Sequence, residues 1–163
     1  MPKVYMMCGK ICSGKSTHAA ALRQMHRAVV LSVDEITLAL FGQDAGEQHD
    51  TYVARAEAYL YQKSLEILAS GISVILDWGF WTRAERDHAR AFYAAHGIEC
   101  ELHSIEISDA EWTRRIARRN ADIPAHKTDA YYVDDGLAAK FAAIFEPPQA
   151  DEPAVRITTE SPR

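Results

Sequence analysis

Only three cysteines occur among 163 residues, an odd number, and no C-x-x-C pair or Cys/His cluster accompanies them. Neither a disulfide framework nor a zinc site is expected. No apolar run is long enough to span a bilayer, so no membrane partner is expected. Lys3 is followed by a strand-like run and a glycine-rich loop, not by the apolar core of a signal peptide. A cytoplasmic location is the expectation. Excess positive charge is missing too. The 18 Lys and Arg stand against 23 Asp and Glu, a formal net charge of -5, which argues against an unspecific nucleic-acid coat. Local basic clusters can still hold phosphates. No repeat, low-complexity tract or long linker divides the chain, and one domain over residues 1–163 is expected. The length suffices for a real core.

What is present centres on MMCGKICSGKST, residues 6–17. Gly9-Lys10-Ile11-Cys12-Ser13-Gly14-Lys15-Ser16 fits G-x-x-x-x-G-K-[ST] at every fixed position, the P-loop pattern. The two glycines let the backbone turn its N–H groups inward as a nest for phosphate oxygens. Lys15 supplies a positive charge for the β- and γ-phosphates, and Ser16 a hydroxyl for Mg²⁺. Lys3–Cys8 reads as a buried strand before the loop, and Ser16–His26 as a helix after it, with Ala20, Leu22 and Met25 inward. The free N–H groups of that helix add a positive dipole end. Gly9 to Thr17 are therefore the expected nucleotide-binding residues, with a nucleoside triphosphate as partner and ATP·Mg²⁺ as the expected form. GTP in place of ATP stays open.

Residues 28–34, AVVLSVD, read as a second strand ending at Asp34, and residues 72–77, ISVILD, as a third ending at Asp77. Carboxylates at the C-terminal ends of parallel strands sit where open α/β sheets bind ligands. Asp34 has two readings, a functional carboxylate or the cap of a short helix over 35–41. Asp77 is the candidate second Mg²⁺ residue. A long helix over about 48–70 shows an inner stripe of Val53, Ala56, Leu60, Ile67 and Leu68. Trp78 and Trp81 either pack or wall an acceptor pocket. Thr82 with Glu85 forms a capping box; Arg83 and Arg86 in that first turn oppose the helix dipole, which hints that one faces an anionic ligand.

A fourth strand over 99–107 precedes a Ser108/Glu111 capping box and a helix carrying Arg114, Arg115, Arg118 and Arg119, with Trp112 and Ile116 as its apolar contact. Asn120–Lys127 is polar and broken by Pro124, a lid over about 120–128. A helix over 129–145 with Tyr132, Leu137, Phe141 and Ile144 inward, and a last strand over 155–159, complete the chain.

Together GKICSGKS, SVDE, ILDWGF and ARRN resemble the small P-loop kinases, in particular the group of polynucleotide 5′-kinases, zeta-toxin-like kinases and chloramphenicol phosphotransferase-like enzymes. The resemblance implies a three-layer α/β/α sandwich around a five-stranded parallel sheet of order 2-3-1-4-5. It implies transfer of a phosphoryl group to a hydroxyl of a small molecule or of a nucleic-acid 5′ end. Lys15 and Ser16 then match the phosphate and Mg²⁺ residues, and Asp34 the aspartate that takes the acceptor's proton. Asp77 matches the strand-three aspartate near the metal. Arg118 or Arg119 matches a catalytic lid arginine, and Arg115, on the face of Arg119, joins the nucleotide-binding set. The position four beyond Asp77 is Trp81, where adenylate kinases have an arginine, which disfavours a nucleoside monophosphate acceptor. A monomer or weak dimer is expected. A nucleotide-binding switch or NTPase acting through a partner is the competing class.

Overall fold

A computed structural model describes residues 1–124 and 130–159. Five parallel strands form one sheet of order β2-β3-β1-β4-β5. They are β1 (Val4–Cys8), β2 (Val29–Leu31), β3 (Val74–Leu76), β4 (Cys100–Glu106) and β5 (Val155–Thr158). The helices are α1 (Lys15–His26), α2 (Val33–Phe41), α3 (His49–Ala69), α4 (Arg83–Ala94), α5 (Asp109–Asp122) and α6 (Asp135–Ile144). The expected strand order and three-layer α/β architecture are those observed.

Every residue of β1 is buried, and its alternation divides the core between two faces. Val4, Met6 and Cys8 join Leu31, Val74, Leu76 and Leu102 under Leu60 and Leu68 of α3 and Ala89 and Tyr93 of α4. Tyr5 and Met7 join Ile75 on the other face, under Ala19 and Leu22 of α1. The inner stripe of α1 is therefore set one residue away from the expected one: Ala20 is exposed and Met25 is 73% exposed. Side chains at 19 and 22 share a face that 25 has already rotated past.

Two expectations about helix starts change. Strand β2 stops at Leu31, and Ser32, not Asp34, caps α2 by accepting from the Glu35 N–H. The capping reading of Asp34 is thereby removed. Helix α6 begins at Asp135, capped by Asp134, and not at 129. Residues 130–134 belong to neither helix nor strand; Tyr132 is exposed while Ala130 and Val133 are buried. The expected lid starts inside α5, because Asn120 to Asp122 are helical, and residues 125–129 of it lie outside the described residues.

Thr82 and Glu85 form the expected capping box of α4. Both arginines of its first turn, one of which was expected to face an anionic ligand, are engaged by carboxylates of the protein itself. Arg83 pairs with Asp151 at 2.8 Å on the surface. Arg86 is fully buried and grips Glu152 bidentately, at 2.8 and 2.7 Å, while its Nη1 donates to the carbonyls of Phe80 and Glu146. These bonds pin the loop after β3 to the segment entering β5. Bidentate geometry and burial of both partners make this pair costly to break from one side.

Glu152→Gln leaves Arg86 charged, buried and half-paired. It should destabilise the fold by about 3–5 kcal/mol, read as a lower urea midpoint at unchanged slope. The arginine also holds the Glu152 carboxyl down at about 2 from its ordinary 4.5. The wild-type stabilisation is therefore whole above pH 4.5 and fades as pH falls toward 2, and the glutamine variant should lack that acid-dependent loss.

Candidate active site

The loop Gly9–Gly14 joins β1 to α1 at the C-terminal edge of the sheet. Gly9 cannot carry a side chain, since a Cβ there would lie 2.8 Å from both the Ile105 carbonyl oxygen and Ser13 Oγ. Gly14 sits at φ 104, a left-handed conformation that a Cβ disfavours. It begins α1 without a side-chain cap. The first helical bond runs from the His18 N–H to the Gly14 carbonyl, so the N–H groups of Lys15, Ser16 and Thr17 point out of the helix end. Ser13 Oγ is buried and lacks a hydrogen-bond partner. Uncapped donors, glycine clearance and an orphaned hydroxyl fit an anionic phosphate chain.

Lys15 crosses beneath this loop and donates to the carbonyls of Gly9 and Lys10, each at 2.9 Å. Burial lowers its ammonium pKa, and Asp77 and Asp34 oppose that shift. Burial raises the Asp77 carboxyl, while the Ser16 hydroxyl and Lys15 pull it down. A hydroxyl and a carboxylate lining the cleft beside the phosphate nest are a donor set suited to Mg²⁺. Asp34 lies in the first turn of α2. It is open to the cleft yet crowded by protein, which raises its carboxyl against the pull of Lys15, Arg119 and His49.

One stripe of α5 backs the loop, and it divides the expected arginines. Lys10 Nζ pairs with Asp109 at 2.9 Å and lies over the Trp112 ring. Trp112 Nε1 donates to the Ile11 carbonyl at 2.6 Å, so this residue is a loop brace and not the apolar contact its spacing suggested. Arg115 donates to the Ser13 carbonyl at 3.0 Å, to Glu111 and to Thr159. All three of its nitrogens have protein partners, so the arginine expected beside the nucleotide also supports the loop from behind. Arg119 Nη1 reaches Cys12 Sγ at 3.1 Å, where Cys12 takes a left-handed φ of 60. Arg118 points to the open rim with its side chain 87% exposed, and its ion pair is the long one to Asp122.

The cleft has a volume of about 2170 Å³ and runs from the loop past Asp34 and Asp77 to His49, Glu57, Trp78 and Trp81. Its mouth is crossed by residues 130–133. The Gln43 amide donates to the Ala130 carbonyl and accepts from the Tyr132 N–H. Asn120 holds Val133 the same way, at 2.6 and 3.0 Å. Between them Tyr131 donates to Thr37 Oγ1 at 2.7 Å and packs edge-on to His49.

A family model described as an AAA domain matches residues 4–148. The chain belongs to that AAA domain family. Comparison with curated proteins finds no match. Solved structures share the fold of this AAA domain at low identity. A gluconokinase from Sinorhizobium meliloti 1021 is 16% identical with a TM-score of 0.68, covering 99% of this chain and 85% of its own. The APS kinase CysC of Mycobacterium tuberculosis, in complex with AMPPNP and APS, is 19% identical with a TM-score of 0.66, covering 99% and 90%. Chaetomium thermophilum Kti12, in complex with ADP-AlF3, is 16% identical with a TM-score of 0.72, covering 95% and 88%. The fold is thus that of the small P-loop kinases.

Sequence reasoning passed over Gln43, Glu57 and Tyr131, whose places in the cleft depend on partners far away in the chain. His49 had no distinguishing signal either. Among the expected residues, the one most exposed to direct test is Lys15. Lys15→Ala removes a charge-assisted contact of about 1.5–3 kcal/mol. ATP affinity by calorimetry should therefore fall about ten- to hundredfold. The circular-dichroism melt should stay close to wild type, because the two loop carbonyls it satisfies can turn to water.

Proposed function

We propose that this AAA domain is an ATP-dependent kinase that phosphorylates a hydroxyl group of a small molecule or of a nucleic-acid 5′ end. The observation that carries the reading is that Asp34 and Asp77 line, together with Lys15, the point where the phosphate nest opens into a deep cleft. A switch that works through a partner needs the nest but has no use for a carboxylate facing such a cavity. The AMPPNP and ADP-AlF3 bound by the two structural neighbours support a nucleotide here.

The loop N–H groups and Lys15 would hold the triphosphate, and Ser16 and Asp77 would hold Mg²⁺. That ion, when bound, neutralises charge on the β- and γ-phosphate oxygens. Asp34 orients the acceptor hydroxyl and takes its proton. The acceptor oxygen forms a bond to Pγ, the bond from Pγ to the bridging oxygen breaks, and the electron pair leaves with ADP. Arg119, between Cys12 of the loop and Asp34, stabilises the charge spread over the transferring group. A raised Asp34 carboxyl suits a proton acceptor, since its basicity lies nearer the operating pH.

Asp34→Asn should lower kcat by about 10²–10⁴-fold, the general acid–base range. ATP affinity should persist, and Ser32 keeps the helix cap in place. Radiolabel transfer to an acceptor and calorimetry with ATP measure the two. A variant within about threefold of wild type, well below that range, transfers the role to Asp77. The arginines separate in a second experiment. Arg119→Ala should lose kcat by about 10²-fold or more with little change in ATP affinity, the pattern of a transition-state contact. Arg118→Ala, with its exposed side chain, should stay near wild type in both. Equal losses for the two would remove Arg119 from its special role.

A further inference from the structure

The two halves of the cleft differ in charge. The arginines of α5 all stand on the side of the phosphate loop. The opposite wall is built by α2, α3, the loop after β3 and α4. Among the described residues its lining includes Asp34, Asp50, Glu57, Asp77 and Glu85 but no lysine or arginine. Lys15 meets this wall at Asp34 and Asp77, and Lys140 of α6 also lines the cleft. An acceptor that carries phosphate, sulfate or carboxylate would meet carboxylates there, at separations where like charges cost free energy.

Glu57 sits at the far end of that wall. It is half-buried, one helical turn before Tyr61, and lines both the main cleft and a side cavity of about 400 Å³. Trp78 and Glu85 line both spaces as well. Trp78 is fixed edge-on to Tyr61 at 5.6 Å and stacked on Phe80 at 5.3 Å. Glu85 is fixed by the capping box, its Oε2 accepting from the Thr82 N–H. Burial and the neighbouring Glu85 push the Glu57 carboxyl up to about 7. Among the described residues no cation pairs with it. His88 shares the side cavity but packs edge-on to Tyr61. Two carboxyls and an indole, held in place without a counter-cation, offer a cation both ion pairing and a π face.

Resting on the kinase reading above, we propose that the acceptor is a hydroxyl compound bearing an ammonium group, an amino alcohol, aminocyclitol or aminosugar. Glu57, Glu85 and Trp78 receive the ammonium while the hydroxyl lies at Asp34. The transfer is the one already written: the acceptor oxygen bonds to Pγ, ADP leaves, and Asp34 takes the proton. The ammonium takes no part in bond making. It fixes which hydroxyl is presented and excludes anionic competitors, including the phosphate-rich end of a nucleic acid.

The test is a panel of amino alcohols, aminocyclitols and aminosugars with γ-labelled ATP. Each stands beside its N-acetylated and its carboxylate counterpart, and a 5′-hydroxyl oligonucleotide is included. New phosphoester is followed by mass spectrometry and free phosphate separately. The expected result is phosphoester in the amine arm, with kcat/KM at least about tenfold above the N-acetylated partner, the worth of one desolvated charge contact. Glu57→Gln should then raise KM for the amine by about tenfold with a much smaller effect on kcat, and narrow the preference over the N-acetylated compound. Phosphoester confined to neutral or anionic compounds, or an unchanged preference in Glu57→Gln, overturns this proposal and leaves the kinase reading standing. Free phosphate with no phosphoester in any arm overturns both.

Discussion

A phosphate nest must leave its N–H groups unpaired and facing inward, and that requirement governs the architecture around it. A loop whose donors are reserved for a ligand cannot fold on its own internal hydrogen bonds. Its carbonyls and side chains have to be held from outside. Here Lys15 takes the carbonyls of Gly9 and Lys10 from below, while α5 takes those of Ile11 and Ser13 from behind. Asp109, Trp112, Arg115 and Arg119 recur at intervals of three, three and four, so the support from α5 comes from a single helical stripe. Arg115 also fastens the loop to Thr159 at the end of β5. The last strand of the sheet thereby stiffens a loop that begins at residue 9.

Charge is distributed by the same geometry. Lys15 is poor in water and rich in carboxylates, and each of Asp34 and Asp77 is crowded enough for its carboxyl to be raised. Asp77 also feels the repulsion of Asp34. A cluster with one ammonium, two strained carboxylates and a serine hydroxyl is incomplete without further positive charge. On the proposed reading, a cation held by Ser16 and Asp77 would offset that excess of negative charge.

How much of this could be read from the chain follows from the range of each interaction. The nest was legible because its requirements are local: two glycines, a lysine and a serine within eight residues of a buried strand. Strand order followed from the resemblance those residues carry. The Thr82/Glu85 box was legible for the same local reason. What escaped was set by distant partners. Arg86 looked like an anion binder because Glu152, 66 residues later, has no signature near it. The bracing by Arg115 was hidden because nothing in its own helix announces Ser13, 102 residues earlier. Asp34 was misplaced by three residues of backbone. The apolar run AVVLSV continues past the end of the hydrogen-bonded strand, and the serine within it caps the helix. Glu57 was invisible for a different reason, since a glutamate on a helix is ordinary until its neighbours prove to be Trp78 and Glu85 and not water.

The segment 130–133 connects these parts mechanically. Its two ends are held by side-chain amides, each engaging main-chain groups of the segment as both donor and acceptor. Gln43 comes from the acceptor side, following α2, and Asn120 from the C-terminal turn of α5, on the nucleotide side. In its middle, Tyr131 bonds to Thr37, whose hydroxyl in turn donates to the Val33 and Asp34 carbonyls. Arg119 is one residue from Asn120, and Asp34 is three from Thr37. Any displacement of the segment is therefore shared by the arginine beside the loop and the carboxylate facing the acceptor. Amide pairs of this kind contribute about 0.5–1.5 kcal/mol per bond and exchange readily with water. They are strong enough together to hold the segment between the end of α2 and the end of α5, although each is individually replaceable by water.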